Sequence, residues 1–168
     1  MGLFCNEGDR IELDELFVKK YLGTGQITKS GNNYQIANAG ESRRQRTGEL
    51  LKALAVLRGG AKQAAFGTDV APKSLILAGL SCGNPIFNQL FDDELEKGLR
   101  MKVVAMKEVL SDYADRIVTP VAIGLRTGYL ANKEEVRQLN GKHEFPRGTV
   151  EVVVKTPREA AELIASKL

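Results

Sequence analysis

Apolar residues fall along this chain in two kinds of run, one spaced for helices and one for strands. From Glu41 to Leu57, Leu50, Leu51, Leu54 and Leu57 recur at i, i+1, i+4 and i+7, which predicts an amphipathic helix with those four leucines on its buried face. Gly59 and Gly60 then supply the positive φ that ends a helix. Leu99, Val103, Met106 and Leu110 repeat at spacings of four, three and four, predicting a second helix from Glu94 to Asp115 that starts behind Asp92 and Asp93. The methionines Met101 and Met106 are read as core residues. Ser74 to Leu80 is almost wholly apolar and of strand length, as a central strand would be. Ile86 to Phe91 reads as the next strand, antiparallel to it. Ile117 to Leu130 reads as a third, with Pro120 confining its first part to an edge or bulge.

The flanks are less regular. Asp9 to Leu22 mixes alternation with helical spacing and is taken as a strand from Arg10. Turn residues at Gly23–Gly25 and Ser30–Asn33 bracket Gln26–Lys29, and Tyr34–Ile36 completes a hairpin. Asn132 is placed as the cap of a short helix through Gln138, and Asn140 to Arg147 as loop. Thr149 to Lys155 is a last strand, and Pro157 opens a C-terminal helix. From Arg10 to Leu130 the order is strand, helix, strand, strand, helix, strand. The expected fold is therefore α+β, a ferredoxin-like, RNA-recognition-type βαββαβ sheet. Its helices lie on one face, its other face is open, and a C-terminal strand and helix follow. One domain over 1–168 is expected, with a palm over 10–130 and an appendage over 131–168.

Composition narrows the function. At 168 residues with 43% hydrophobic and 27% charged residues, the chain is globular rather than disordered. The formal charge of +3 permits a polyanionic partner without demanding one. No apolar run is long enough for a membrane helix, and the first residues do not read as a signal peptide. Two distant cysteines and a single histidine argue against a disulfide framework and against a zinc site, so a reducing cytoplasm is the expected location. No cofactor, metal site or catalytic residue is expected.

The stretch Leu57 to Lys73 sits between the first helix and the apolar strand, rich in glycine and carrying cations. Glycines let backbone N–H groups approach phosphates with no Cβ in the way. Lys62 offers a point charge, and Gln63 can reach a sugar hydroxyl or a base edge. The candidate RNA-binding residues are Arg43, Arg44, Arg46, Arg58, Gly59, Gly60, Lys62, Gln63 and Lys73. Plainer readings stand beside each: the arginines as a solvated helix face, Gly59 and Gly60 as a C-cap, Lys62 as a solvated cation, Asp69 as a turn former before Pro72. The basic-glycine-aromatic strand of ordinary RNA-recognition modules is missing.

The run LRGGAKQAAFGTDVAPKSLILAGLSCGNPIF resembles the crRNA-binding backbone subunit of type I CRISPR interference complexes, in the I-B-like branch known as the DevR family. Gly59, Gly60, Lys62, Gln63, Thr68, Asp69, Pro72, Gly83, Asn84 and Phe87 fill the family's positions, and Ile123 to Val136 resembles its closing region. Family members are nearly twice as long, so a short or N-terminally truncated member is expected. The resemblance implies a noncatalytic subunit of an antiviral surveillance complex (Cascade) that holds guide RNA through sugar and phosphate. Its implied partners are crRNA, further copies of itself, other CRISPR interference subunits and, indirectly, target DNA, with no membrane. Two alternatives are an RNA-cleaving relative using Asp69, which lacks a clustered carboxylate partner, and a transcriptional autoregulator, for which no recognition-helix pattern stands out.

Overall fold

The computed structural model describes residues 27–30, 33–36, 39–57, 71–94 and 98–168. The chain forms two compact units, Met1–Arg43 and Arg44–Leu168. In the first, β1 (Ile27–Ser30) and β2 (Asn33–Ile36) pair antiparallel with Ile27 opposite Ile36, the expected hairpin. The expected strand from Arg10 lies outside the described residues. Helix α1 (Ala39–Ala55) begins at the end of this unit and continues in the second.

The second unit is built on a mixed sheet of β3 (Ser74–Leu77), β6 (Val121–Leu125), β7 (Gly141–Phe145) and β8 (Gly148–Lys155), in the order β3-β6-β8-β7. β3 runs antiparallel to β6, β6 parallel to β8, and β8 antiparallel to β7. A separate hairpin pairs β4 (Phe91–Glu94) with β5 (Gly98–Met101), and the helices are α2 (Val103–Asp112), α3 (Lys133–Arg137) and α4 (Pro157–Ala165). The fold is α+β, as expected.

Strand alternation decides which face each side chain meets. Val121 and Ile123 of β6 and Val150 and Val152 of β8 point into one core, with Met106 and Leu110 of α2, Val136 of α3, and Leu90, Met101, Leu130 and Leu139. Ala122 points the other way and meets Ala160 and Ile164 of α4, with Leu51, Leu75, Leu77 and Leu163 packed around them. Full burial of residues the size of Met106 and Leu110 stabilises by roughly 1.5–3 kcal/mol each.

This arrangement corrects several expectations. The helices beginning near Glu41 and Glu94 were to share one sheet face; Leu51 of α1 and Met106 of α2 lie in cores on opposite faces, so neither face is open. Residues 131–168 are no appendage, since β8 is an interior strand with partners on both sides. β3, expected to be central, is at one end of the strand order. Ile86 to Leu90 is not strand, and only Phe91 of the expected element is, as the first residue of β4: Ile86 and Leu90, four apart, are buried while the chain turns between them, Asn88 donating to the Pro85 carbonyl at 3.2 Å. The helix expected from Glu94 starts only at Val103, because Gly98 to Met101 is drawn into the hairpin with β4. Asn140 to Arg147, expected as loop, contains β7, whose polar residues Lys142 and Glu144 face solvent on an edge strand.

On α1 the buried stripe is turned from the one the leucine pattern predicts. Gly48, Leu51 and Ala55 face inward, Gly48 against Ala165 of α4, whereas Leu50 is 65% and Leu54 46% exposed and Leu57 is exposed as well. With no side chain, Gly48 lets this helix lie close to Ala165 of α4.

Candidate nucleic-acid interface

The glycine-rich stretch joins α1 to β3, and the structure describes its last residues, Ala71 to Lys73. Of the sequence-predicted site residues, Arg58, Gly59, Gly60, Lys62 and Gln63 lie outside the described residues, as does Asp69. Arg43 is exposed at the end of the first unit. Arg44 and Arg46 are exposed on α1 in the second unit. Lys73 is half-buried, immediately before β3.

Lys73 has a neighbour that the sequence did not suggest. The β3–β6 ladder pairs Ser74 with Leu125, and it continues one step further: the Arg126 N–H donates to the Lys73 carbonyl at 2.8 Å. Residues opposite each other on an antiparallel pair project to the same face. Lys73 is two residues from Leu75, and Arg126 is four from Ala122, both of which pack toward α4. Lys73 and Arg126 therefore continue the α4-side register at the sheet's end.

Lys155 ends β8 directly beside Gly124 of β6, again in the α4-side register, because Val150 and Val152 take the other side. Three cations thus terminate three adjacent strands at one end of the sheet. This end is also where β6 and β8, the parallel pair, finish.

The first turn of α4 completes the end. Thr156 caps the helix in a reciprocal box: its hydroxyl accepts from the Glu159 N–H, and its own N–H donates to Glu159 Oε2 at 3.1 Å. The Thr156 hydroxyl also donates to Glu159 Oε2 at 2.7 Å. These side-chain and backbone hydrogen bonds hold the Glu159 carboxyl below the usual glutamate range, and the nearby Lys155 charge adds to the effect. Arg158 is ion-paired to Glu162 at 2.9 Å on the exposed flank of α4. Glu159 and Glu162 are thus engaged within the helix, while Arg126, just past β6, and Lys155, the last residue of β8, are exposed.

The approach of α4 to this end depends on Gly124. A Cβ at Gly124 would lie 2.6 Å from Pro157 Cα and 3.1 Å from Leu75 Cγ. Just beyond β6, the chain reverses in a four-residue turn closed by Tyr129 N–H donating to the Arg126 carbonyl at 3.3 Å. Gly128 occupies the third position with φ +81°, the left-handed conformation that a type II turn needs there. The following residues are pinned: Leu130 is buried, and the Ala131 N–H donates to the Leu99 carbonyl at 2.9 Å.

Asn132 stands at the N-cap of α3, as expected, but its side chain serves another element. Its side chain accepts from the Met101 N–H at 3.0 Å and donates to the Met101 carbonyl at 2.8 Å, so it extends β5 as a third strand would. Its carbonyl accepts from the Val136 N–H at 3.2 Å, as an N-cap residue's does, but its side chain makes no capping hydrogen bond. Sequence reasoning missed Arg126, Lys155 and the role of Asn132. A basic residue at the end of an apolar strand is the signal for the first two, but only the strand order shows that they are neighbours.

Among the described residues there is no group of three or more His, Cys, Asp or Glu side chains placed to hold a metal ion. No helix among them is long and apolar enough to cross a membrane. What the sheet end offers chemically is fixed positive charge, backbone held rigid by ladder and turn, and exposed side chains able to meet a polyanion. No protein-family model, no curated protein and no solved structure matches the chain.

Proposed function

We propose that this chain is a noncatalytic RNA-binding backbone subunit, holding guide RNA by sugar and phosphate in a type I CRISPR interference complex of the cytoplasm. Its partners on this reading are crRNA, further copies of itself, other interference subunits and, through the guide, target DNA. The observation that carries the reading is the sheet end, where Lys73 lies beside Arg126 and Lys155 ends the next strand, β8. Phosphate contacts made by such cations serve every guide sequence equally, which a subunit that must accept any spacer requires.

The four-stranded sheet runs β3-β6-β8-β7 with β6 parallel to β8, and α3 and α4 pack on its opposite faces, so the reading rests on the strand end and not on a ferredoxin-like arrangement. Both faces of that sheet are covered, so the strand ends rather than a face are where this reading places RNA.

The test is fluorescence anisotropy with single-stranded RNAs of unrelated sequence over a range of salt concentrations. Equal affinity for the different sequences is expected. Arg126→Ala and Lys155→Ala should each lower the slope of log K against log salt by about 0.7, the loss of one phosphate contact on a single strand. Arg116→Ala, at the opposite end of β3 and paired to Asp115, should leave the slope unchanged. Strong sequence preference, or unaltered slopes for Arg126→Ala and Lys155→Ala, would refute the reading.

A further inference from the structure

We infer that Tyr129 is a base-stacking platform for single-stranded RNA held at this sheet end. The inference rests on the RNA-binding reading and names a contact that charge alone does not supply. Tyr129 follows Arg126 by three residues and closes the turn whose first residue is hydrogen-bonded to Lys73. It is 43% exposed, although the next residue, Leu130, is 4% exposed and sits in the core. This large aromatic ring is left open in the turn that follows a cationic strand end, and the backbone that carries it is held at both sides, so the main chain has little conformational freedom to lose on binding.

Its support is rigid for stated reasons. Before it, the Arg126 N–H is held by the Lys73 carbonyl at 2.8 Å; within the turn, its own N–H is held by Arg126 at 3.3 Å; after it, the Ala131 N–H is held by Leu99 at 2.9 Å. Gly128 at φ +81° sets the turn's shape. Every base presents a π face, so an exposed aromatic ring adds affinity without reading sequence. That suits a site whose cations also ignore sequence. The pairing of a cationic track with an exposed aromatic is the usual equipment for single strands, in which bases are free to leave their neighbours.

The experiment compares the full chain and its Tyr129→Ala, Tyr129→Leu and Tyr129→Phe variants on two ligands of equal length: an oligouridylate and an abasic ribose-phosphate chain. Melting curves for each variant check that the fold is retained. Tyr129→Ala and Tyr129→Leu should weaken oligouridylate binding by roughly 10-fold, the size of one base–aromatic stack. They should leave binding of the abasic chain and both salt slopes unchanged, and Tyr129→Phe should bind both ligands as the parent does. Leucine keeps apolar bulk without a π face, so parental affinity for oligouridylate in Tyr129→Leu overturns the inference. So does an equal loss on both ligands. If the parent binds oligouridylate with a salt slope that Arg126→Ala reduces, and Tyr129→Ala changes nothing, the stacking role alone falls. If the parent binds neither ligand, the RNA-binding reading falls and the inference with it.

Discussion

Replacing Gly124 by alanine tests the packing that brings α4 down onto the sheet end. The backbone at Gly124 is ordinary strand, so alanine meets no conformational penalty there. Restricting the unfolded chain should stabilise by about 0.4–1 kcal/mol, and burying a methyl group by about 0.8 kcal/mol. Against this, the new Cβ would lie 2.6 Å from Pro157 Cα, and ordinary contact begins near 3.4 Å. The obstacle is backbone, which cannot rotate aside. Pro157 is also only two residues beyond Lys155, which is paired with Gly124 itself. Relief therefore requires α4 to retreat by about 0.8 Å, and a gap of that size forfeits roughly a quarter to a half of each dispersion contact it opens. The contacts at stake are those of Ala160 and Ile164 with Ala122, Leu75 and Leu77.

Overpacking of this kind costs about 1–3 kcal/mol net, and the tethered proline places Gly124→Ala at about 2–3 kcal/mol of destabilisation. For a chain of this size that lowers Tm by roughly 4–12 °C. Urea titrations followed by far-UV circular dichroism measure it. Gly83→Ala is the control, because an added Cβ there meets no atom within 4 Å; it should match the parent or exceed it by up to about 1 kcal/mol. Parental stability in Gly124→Ala, or an equal loss in Gly83→Ala, would refute the reasoning.

Two further predictions follow from hydrogen bonding. Asn132→Leu should cost roughly 2–4 kcal/mol, because it strands the buried N–H and C=O of Met101; a loss under about 1 kcal/mol in a urea titration would show that those groups find other partners. Glu159 has a folded pKa held below its unfolded value, so its stabilising contribution is complete above the usual glutamate range and is lost as pH falls through the lowered value. Glu159→Gln should therefore flatten the acid limb of a stability-against-pH curve, and a limb with the parent's slope would remove the capping box from the account.

Local signals in the sequence were enough to place much of the secondary structure. Turn residues marked the first hairpin, Pro157 marked the start of α4, and the four-three-four spacing put Met106 and Leu110 in the core. Each depends on backbone geometry or periodicity within a few residues. The leucine count on α1 pointed to the wrong stripe because periodicity specifies a face only when the neighbouring surface is known. Here that neighbour is α4, whose Ala165 lies close against Gly48. β5 and β7 were hidden for a related reason: their strand character comes from partners, β4 and β8, rather than from their own apolar content.

The candidate site divides in the same way. The sequence determined that cations and glycines cluster between α1 and β3, and it identified Lys73. That Arg126 and Lys155, 53 and 82 positions further along the chain, reach the same end of the sheet as Lys73 was decided only when β3, β6 and β8 paired. Charge on a side chain is a property of one residue. A cationic strand end is a property of register, and register is settled by tertiary pairing.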